Sequence, residues 1–429
     1  MLLRRLLSLT IVLVLVVALM SVFLLACDDD DNDQTQTTTP VQTTGSPKTT
    51  PVQTTKPAEK PGEIKIGVLA PLTGRGAAMF GEAIANLTKL RAEQINAAGG
   101  LMVGGKPYLL NVVLADDKLT PEGARAAADK LIYEDKVKFI IGPWSTTQTA
   151  AIEDYVSDAG VWHAPASTSV TTFTPKHSNT WSPYTGSSAT QIPLSKWVIA
   201  KYPQIKRIVF LAPDDETGKS WFKLTEEALK PYNLYVKAIY YNRSATDYYP
   251  WLTKAVAENP DAIDLDGTIS PTATLILKQL YELGYKGIKY SGTTYVAEEL
   301  LKGTSKESME GLMGINMSSA MDNAPAGLRQ MRADYEAKYG SGSYNTALDR
   351  IGCAPDILIA GLKSATAPTP AAVTAALESM KTIDTIFGPG TWGGLKTFGI
   401  AHYLVAPSGI VQVHDGKDVL LSIWQPEMP

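Results

Sequence analysis

The chain has 429 residues, which is more than one hydrophobic core normally organises, so we expect two domains with additional segments. Charged residues make up 19% of the chain and hydrophobic residues 45%, a balance typical of a globular protein. The formal net charge is −4 and no cluster of Lys and Arg follows the first few residues, so charge argues against a nucleic-acid-binding protein.

The N-terminal segment has the pattern of an export signal. Two arginines precede an almost wholly apolar run, Leu6 to Leu25. At about 20 residues, this run could also span a bilayer as a retained helix. The sequence Leu-Leu-Ala-Cys that ends at Cys27 resembles a bacterial lipobox, in which cleavage leaves a lipidated cysteine. We predict a lipoprotein signal over residues 1–26 and a lipid on Cys27, with an uncleaved anchor as the alternative.

Residues 27–61 are predicted to be a flexible tether. They contain an acidic run and then mainly Thr, Gln, Pro and Lys, which cannot bury enough apolar surface to fold. The mean reach of such a tether is on the order of 30 Å. If Cys27 carries lipid, Cys353 remains alone and no intramolecular disulfide can form. We interpret Cys353 as a small buried hydrophobic residue.

From Ile64 the chain alternates strands and helices. The first predicted strands are Ile64 to Ala70, Tyr108 to Ala115, Val137 to Ile141 and Val161 to Ala164. The helices between them are predicted from Phe80 to about Gly99, from Thr120 to about Tyr133 and from Ser145 to Asp158. This order predicts a mostly parallel sheet with helices on both faces.

A second series of the same kind follows Pro183. Its predicted strands are Arg207 to Ala212, Leu234 to Tyr240, Ala262 to Asp266 and Gly287 to Tyr290, and its clearest helix is Pro271 to Leu283. Later helices are predicted at Pro325 to Tyr339, Ala347 to Lys363 and Thr369 to Met380, before tail strands at Ala401 to Val405, Gly409 to His414 and Asp418 to Trp424. The fold class is therefore α/β, with two lobes facing a cleft. In open α/β sheets a ligand binds beyond the carboxyl ends of the strands.

Two of these strand ends carry small hydroxylic residues. The first is Ser145, Thr146 and Thr147, which begins a predicted helix, and the second is Ala166, Ser167 and Thr168. A helix N-terminus has unpaired N–H groups and a partial positive charge, so it suits a carboxylate. The alternative is that Ser145 only caps its helix.

Motifs of enzymes are weak in this sequence. The segment Gly74 to Met79 lacks the third glycine of a dinucleotide fingerprint, and we find no P-loop, HExxH or GxSxG motif. The four histidines are scattered without metal-ligand spacing. His163 could act as a base for Ser145, but we prefer a hydrogen-bonded histidine at a strand end. We therefore predict no catalytic residue, no metal and no cofactor.

Four segments together resemble a known family: IKIGVLAPLTGRGAAMFGEAIANLTKLRAEQINAAGGL, VVLADDKLTPEGARAAADKLI, FIIGPWSTTQT and HAPAST. They are similar to the branched-chain amino-acid class of ABC-transporter solute-binding proteins, which have the type I periplasmic-binding-protein fold. The resemblance runs from about Ile64 to the C-terminus and is densest before Thr168. It implies two Rossmann-like lobes that close on one small molecule and pass it to a permease.

The resemblance also implies the division of the chain. Three crossovers would join the lobes near Ser182, Met317 and Trp392. Lobe 1 would then comprise residues 62–182 and 318–391, and lobe 2 residues 183–317 and 392–429. The implied ligand-binding residues are Phe80, Trp144, Ser145, Thr146, Thr147, Ala166, Ser167, Thr168, Thr217, Ile269 and Thr294. In the family the two hydroxylic turns hold a ligand carboxylate, and an aromatic residue at the position of Phe80 covers the ligand.

Two departures from the family pattern bear on the ligand. Amino-acid binders usually have a tyrosine where Thr217 precedes Gly218, and an acidic residue where Thr293 and Thr294 follow Gly292. A buried ammonium without a carboxylate is costly, so a free amino acid would need another acidic partner. The candidates are Asp214, Asp215 and Asp266. A cluster near the predicted cleft consists of Trp144, Trp162, His163, Trp181 and Tyr184. Its aromatic rings could stack on a flat ligand; the alternative is that they are packing residues, as most Trp and Tyr are.

The functional expectation is an extracytoplasmic receptor of an ABC importer, lipid-anchored on the outer face of the cytoplasmic membrane. Its expected partners are a small-molecule ligand, the permease subunits and, through Cys27, the membrane; nucleic acid is not expected. The ligand could be an amino acid, an aromatic or aliphatic acid, an amide or another small polar solute. The alternatives are a sensory receptor of the same fold that acts through a separate partner, and a cleft hydrolase.

Overall fold

The computed structural model describes residues 60–74, 76–167, 169, 171–185, 187–293, 295–321, 323–424 and 426. The predicted signal, Cys27 and the predicted tether up to residue 59 lie outside the described residues. The same holds for two predicted ligand contacts, Thr168 and Thr294. Ala58–Pro429 forms one compact unit. In the part of the chain that is described, we find no helix with the length and apolar character needed to cross a membrane.

The first sheet is mostly parallel, as the sequence predicts. Its strands are β1 (Gly62–Ala70), β2 (Leu101–Val103), β3 (Lys106–Asp116), β4 (Phe139–Ile141) and β5 (Trp162–Ala164). They lie in the order β2-β3-β1-β4-β5, and only the β2–β3 pair is antiparallel. The sequence analysis missed β2, because three residues between two glycine pairs show no measurable alternation.

Two of the three helices of this part begin at capping residues that the sequence marks, Thr120 and Ser145. The three helices are α1 (Glu82–Ala97), α2 (Pro121–Asp129) and α3 (Thr146–Asp158). A π-helical turn, Ala77–Gly81, precedes α1, and another, Lys130–Glu134, extends α2. The Thr120 hydroxyl caps α2 by accepting the Gly123 N–H at 3.0 Å.

The second sheet repeats the pattern. Its first strands are β6 (Arg207–Pro213), β7 (Tyr235–Tyr241), β8 (Ala262–Asp264), β9 (Ile288–Ser291) and β10 (Met313–Ile315). The helices around them are α4 (Ser187–Lys201), α5 (Glu216–Leu229), α6 (Tyr249–Ala257), α7 (Ser270–Glu282), α8 (Ala297–Leu300) and α9 (Lys306–Met309). The predicted strand at 262–266 ends at Asp264, because the Asp264 carboxylate accepts the Asp266 N–H at 3.0 Å and turns the chain.

The last part of the chain adds helices that pack on the first sheet and strands that extend the second sheet. It contains α10 (Ala326–Tyr339), α11 (Leu348–Ile351), α12 (Cys353–Ser364), α13 (Pro370–Ser379), β11 (Ile383–Thr385), β12 (Gly388–Gly393), α14 (Leu395–Phe398), β13 (Tyr403–Val405), β14 (Ser408–His414) and β15 (Lys417–Trp424). The second sheet has the order β15-β14-β10-β9-β8-β6-β7, with β14 and β15 antiparallel to their neighbours. A small third sheet contains β11, β12 and β13.

One helix predicted as continuous, Ala347 to Lys363, is interrupted at Gly352 between α11 and α12. Pro355 has no N–H to donate to the Ile351 carbonyl, so the helical bonds of α11 cannot continue across this point. Cys353 lies at the start of α12, and its side chain is buried, as predicted. Burial raises the pKa of its thiol to about 12.

Each sheet has an apolar core on both faces. In β1, the alternating residues Ile64, Ile66 and Val68 pack with α1 and α10 to α13, whereas Leu69 packs with α2 and α3. In β6, Val209 and Leu211 face one core and Ile208 the other. Such coverage on both faces is the usual setting of a parallel sheet, and it leaves the strand ends open for a ligand.

Each of the two large sheets has one switch point in its strand order. In the first sheet the strand order reverses between β1 and β4, and in the second between β6 and β8. The chain passes between the sheets three times: from β5 to β6, from β10 to α10 and before β14. The exact lobe limits given in the sequence analysis stay predictions.

Candidate functional site

A cavity of about 160 Å³ lies at the carboxyl ends of both sheets. One water needs about 15 Å³ on this scale, so the cavity has room for roughly ten water-sized groups. From the loops of the first sheet it is lined by Phe80, Trp144, Ser145, Thr146 and Ala166. From those of the second sheet it is lined by Thr217, Trp221, Arg243, Gly267, Ile269 and Thr293. The cavity therefore lies where a ligand binds in open α/β sheets.

Most of the sequence-predicted ligand residues meet in this wall. They are Phe80, Trp144, Ser145, Thr146, Ala166, Thr217 and Ile269. Thr147 and Ser167 are not part of the wall. The Ser167 hydroxyl forms a hydrogen bond of 2.8 Å with the Thr172 hydroxyl and accepts the Ser169 N–H at 3.1 Å, so it serves its own turn. All of these residues stay predictions as contacts of a ligand.

Ser145 has both of the roles that the sequence analysis weighed. Its backbone is extended, and its hydroxyl oxygen accepts the Thr147 N–H at 3.3 Å, which makes it the cap of α3. At the same time Ser145 and Thr146 border the cavity. A capping hydroxyl can still donate its hydrogen, so the N-terminus of α3 can offer donors to an anion in the cavity.

A buried histidine contacts the backbone at the start of the turn that leads to Ser145. His163 Nε2 lies 2.7 Å from the Gly142 carbonyl oxygen, and Nδ1 lies 3.1 Å from Glu153 Oε2. The other Glu153 oxygen accepts the Thr180 hydroxyl at 2.6 Å. His163 is thus the hydrogen-bonded strand-end histidine that the sequence analysis preferred, and its ring nitrogens face Gly142 and Glu153 rather than Ser145.

The aromatic residues expected near the cleft divide into two groups. Trp144 and Tyr184 line the cavity. Trp162 and Trp181 are fully buried instead. The Trp181 ring stacks on that of His402 with centroids 3.8 Å apart. The second group packs inside the protein, which is the packing role that the sequence analysis weighed against stacking on a ligand.

The three acidic residues considered as ammonium partners lie outside the wall. Asp215 caps α5 through the Gly218 N–H and pairs with Arg243 at 2.6 Å. Asp214 is exposed and lies 3.3 Å from the Lys219 ammonium. Asp266 is buried, where one carboxylate oxygen accepts hydrogen bonds from the Ser291 hydroxyl and the Thr293 N–H.

Asp266 forms a buried pair with Asp264 directly behind the second-sheet loops. Burial raises the pKa of Asp264 to about 6, although hydrogen bonds from Asp266, Gln191 and Thr225 oppose the shift. The pKa of Asp266 is raised well above its ordinary value, first by burial and then by the charge of Asp264. Two carboxylates in so little space favour holding one proton between them, and their oxygens accept hydrogen bonds from Gln191, Ser291 and Thr293.

Three charged side chains of the wall were missed by the sequence analysis. They are Arg243 after β7, Glu299 in α8 and Arg350 in α11. Arg243 follows a strand end and could have been found by applying the strand-end rule to every strand. Glu299 belongs to a helix of four residues, which carries no recognisable pattern, whereas Arg350 lies in the predicted helix Ala347 to Lys363, whose position at the cavity has no signal in the sequence. Among the described residues, no group of three or more His, Cys, Asp or Glu side chains is arranged to hold a metal ion.

Comparisons with known proteins agree with this architecture. A family model described as "Periplasmic binding protein" matches residues 63–417. Because the match covers most of the chain, the chain belongs to this family, whose members are extracytoplasmic solute-binding proteins. The Leu/Ile/Val-binding protein of Escherichia coli (strain K12) is 25% identical over 345 residues, which cover 78% of this chain and 89% of that protein.

Two solved structures illustrate the fold. The leucine-binding protein LivK from Thermotoga maritima has a TM-score of 0.72 at 20% identity, covering 85% of this chain and 99% of that chain. A solute-binding protein of an ABC transporter from R. palustris, solved in complex with benzoate, has a TM-score of 0.70 at 19% identity, covering 86% of this chain and 98% of that chain. The chain therefore has the type I periplasmic-binding-protein fold, with two Rossmann-like lobes and a central cleft.

Proposed function

We propose that this protein is the receptor of an ABC importer and binds one small carboxylate or amino-acid-like solute in the cavity between its sheets. The observation that carries the proposal is the position of the cavity, which both topological switch points border and which has room for roughly ten water-sized groups. Its walls are apolar at Phe80, Trp144 and Ile269, with hydroxyls beside them. Such a mixture is typical of a site that recognises one small molecule.

The solute's carboxylate is proposed to bind at the turn that precedes α3. Ser145 and Thr146 border the cavity at the positive end of this helix, and Ala166 borders it from the next loop. Phe80, Trp144, Thr217 and Ile269 would enclose the rest of the solute. Thr147, Ser167, Thr168 and Thr294 belong to the proposed set on the family resemblance alone.

The proposed class of solute is based on two similar proteins whose names or descriptions give different ligands. One relative is named for leucine, isoleucine and valine, and one neighbour was solved with benzoate. Both ligands combine a carboxylate with an apolar body, which suits a wall of this composition. A sensory role through a separate partner would use the same cavity. A hydrolase is disfavoured, because the ring nitrogens of His163 face Gly142 and Glu153 instead of Ser145.

The rest of the proposal concerns partners and motion. The two lobes, with the limits given in the sequence analysis, would close on the solute and present it to permease subunits. The lipid on Cys27 and the tether to residue 61 would keep the receptor at the outer face of the cytoplasmic membrane.

Thermal unfolding of the purified full-length protein against a solute panel tests this function. The panel holds branched-chain and aromatic amino acids, the matching acids without an amine, and the matching amides. A ligand at 100 times its dissociation constant adds about 2.7 kcal/mol to the free energy of unfolding and raises the melting temperature by a few degrees. If no member of the panel raises the melting temperature, the proposed receptor function is wrong.

A pair of capping variants then tests the turn. Ser145→Ala is expected to weaken binding of a carboxylate by about 1–3 kcal/mol, because a hydrogen bond to a charged group is lost. Thr120→Ala removes the cap of α2 away from the cavity, so it costs about 1 kcal/mol of stability and leaves affinity unchanged. Equal affinities in both variants would mean that the carboxylate binds elsewhere.

A further inference from the structure

We propose that the solute carries a net negative charge and that Arg350 binds one of its acid groups. This inference rests on the proposed function, since it concerns the ligand of the same cavity. It goes further by choosing between the solutes left open above, because it favours anionic acids over amino acids with neutral side chains and over amides.

Arg350 is held at the cavity by its own short helix. Its neighbours Leu348 and Ile351 are buried in the core of the first sheet, and Ile351 also lines the cavity. The backbone of α11 is therefore fixed on both sides of Arg350. The guanidinium lies over the Tyr184 ring, with Cζ 4.7 Å from the ring centre.

The charge of Arg350 has no carboxylate partner in the described part of the chain, where no acidic oxygen lies within 4.0 Å of its nitrogens. The adjacent Asp349 is engaged elsewhere. One of its oxygens accepts the Tyr344 hydroxyl at 2.7 Å, and the other accepts the hydroxyl and N–H of Ser319. Burial raises the pKa of Tyr184, so its phenol stays neutral and does not balance the guanidinium either.

The other two charges of the wall have partners. Arg243 pairs with Asp215 at 2.6 Å. Glu299 accepts the Thr346 hydroxyl at 2.8 Å, and the Lys302 ammonium lies 3.9 Å from the same oxygen. Among the charged side chains of the described wall, Arg350 is therefore the one without an ion-pair partner within 4.0 Å. The N-terminus of α3 also borders the cavity and adds a partial positive charge.

This distribution of charge selects for a solute of net charge −1 or lower. A bound acid group would give Arg350 the planar, two-oxygen partner that a guanidinium binds best. A zwitterionic solute would bring an ammonium into the same field, where it would meet Glu299 already engaged with Thr346 and Lys302. An amide would leave the charge of Arg350 unbalanced in a partly desolvated wall, which is costly.

Two matched pairs of probes test the inference on the purified full-length protein. Binding of 4-methylpentanoate is compared with that of L-leucine, and binding of benzoate with that of benzamide, by calorimetric titration at pH 7. The acid of each pair is expected to bind at least about tenfold more tightly than its partner. Arg350→Gln is expected to weaken the acids by about 10- to 100-fold and to remove most of their preference over the uncharged or zwitterionic partner.

Arg332→Gln is the matched control. Arg332 also lies over a tyrosine ring, with Cζ 5.5 Å from the centre of Tyr344, but it pairs with Glu298 and Glu336 outside the cavity wall. The substitution makes the same change in net charge, and the preference for acids should survive it. Arg350→Lys keeps the charge and should keep much of the preference, which covers the case in which Arg350→Gln does not fold.

The outcomes separate this inference from the function on which it rests. The inference is overturned, and the receptor function stands, if the wild type binds L-leucine and benzamide as tightly as the acids. An unchanged ratio within each pair in Arg350→Gln, or the same loss of preference in Arg332→Gln, overturns it as well. If neither these probes nor any member of the larger panel binds, the carboxylate receptor itself is refuted, and the inference fails with it.

Discussion

We expect the Asp117→Asn variant to be more stable than the wild-type protein at pH 7 and equally stable near pH 4. Asp117 directly follows β3 and is fully buried. One of its carboxylate oxygens accepts the Leu119 N–H at 2.8 Å, and the other has no hydrogen-bond partner in the described part of the chain. Asparagine has the same shape and can keep the first hydrogen bond while removing the buried charge.

The magnitude follows from the shift in pKa. Burial raises the pKa of Asp117 from 3.8 to about 6, against the hydrogen bond from Leu119. The folded state therefore binds the proton more tightly than the unfolded state, and wild-type stability falls as the pH rises from about 4 to 6. A shift of about two units corresponds to at most about 3 kcal/mol, so we expect a gain of about 1–3 kcal/mol for the variant above pH 6.

Asp116, the preceding residue, is the matched control, because its pKa is shifted in the opposite direction. Burial alone would raise its pKa, but hydrogen bonds from the Thr73 hydroxyl and from the Leu72 and Lys118 N–H groups lower the pKa below its usual value. Its ionised form therefore stabilises the folded state above the unfolded pKa, and this stability is lost as the pH falls. Asp116→Asn should accordingly be less stable than the wild type at pH 7.

Urea-induced unfolding followed by tryptophan fluorescence, at steps between pH 4 and pH 7.5, measures these differences. The midpoints can be compared directly as long as the slope of the unfolding free energy with urea is the same in each protein. A stability difference between Asp117→Asn and the wild type that stays constant over this pH range would refute the reasoning. A loss of stability in Asp117→Asn at pH 7 would refute it too, because burying the new amide group would then cost more than removing the buried charge gains.

Gly142→Ala should destabilise the protein by about 2–4 kcal/mol in urea unfolding, because Gly142 has φ +92° and a Cβ would lie 2.0 Å from the Leu69 carbonyl oxygen. Gly160→Ala, at φ +64° with nothing within 4 Å of the added Cβ, should cost only about 1–2 kcal/mol, and equal losses would contradict the role of the contact. Cys27→Ser should abolish incorporation of labelled fatty acid and release the protein from the membrane fraction of the producing cells. Retention of this variant in that fraction would favour the uncleaved anchor.

Much of the fold could be predicted from the sequence, because its strands and helices have local signals. The buried strands read as short apolar runs between turn residues, and Thr120 and Ser145 mark helix starts that the structure confirms. The alternation of strand and helix required parallel sheets with helices on both faces. Elements of three or four residues, such as β2 and α8, escaped because a periodic pattern needs more residues to be visible.

The same local signals located the first-sheet half of the candidate site. Ser145 and Thr146 lie directly after a strand end, and strand ends of a parallel sheet meet at one edge, so their place at the cleft followed from order along the chain. Which of the nearby aromatic residues line the cavity could not be predicted from their order along the chain. Trp144 lines the cavity, whereas Trp162, the first residue of β5, is buried in the interior, since the surroundings of each side chain depend on what packs against it.

The sequence by itself thus determined the α/β class, the two series of strands and the hydroxylic turn at the start of α3. Only the tertiary structure decided which charges reach the cavity and which are balanced. Arg350 and Glu299 lie far from the hydroxylic turn in sequence and enter the wall on helices of four residues. Whether a charge is balanced depends on distances between segments such as those of Arg243 and Asp215, and the order of residues along the chain does not fix those distances.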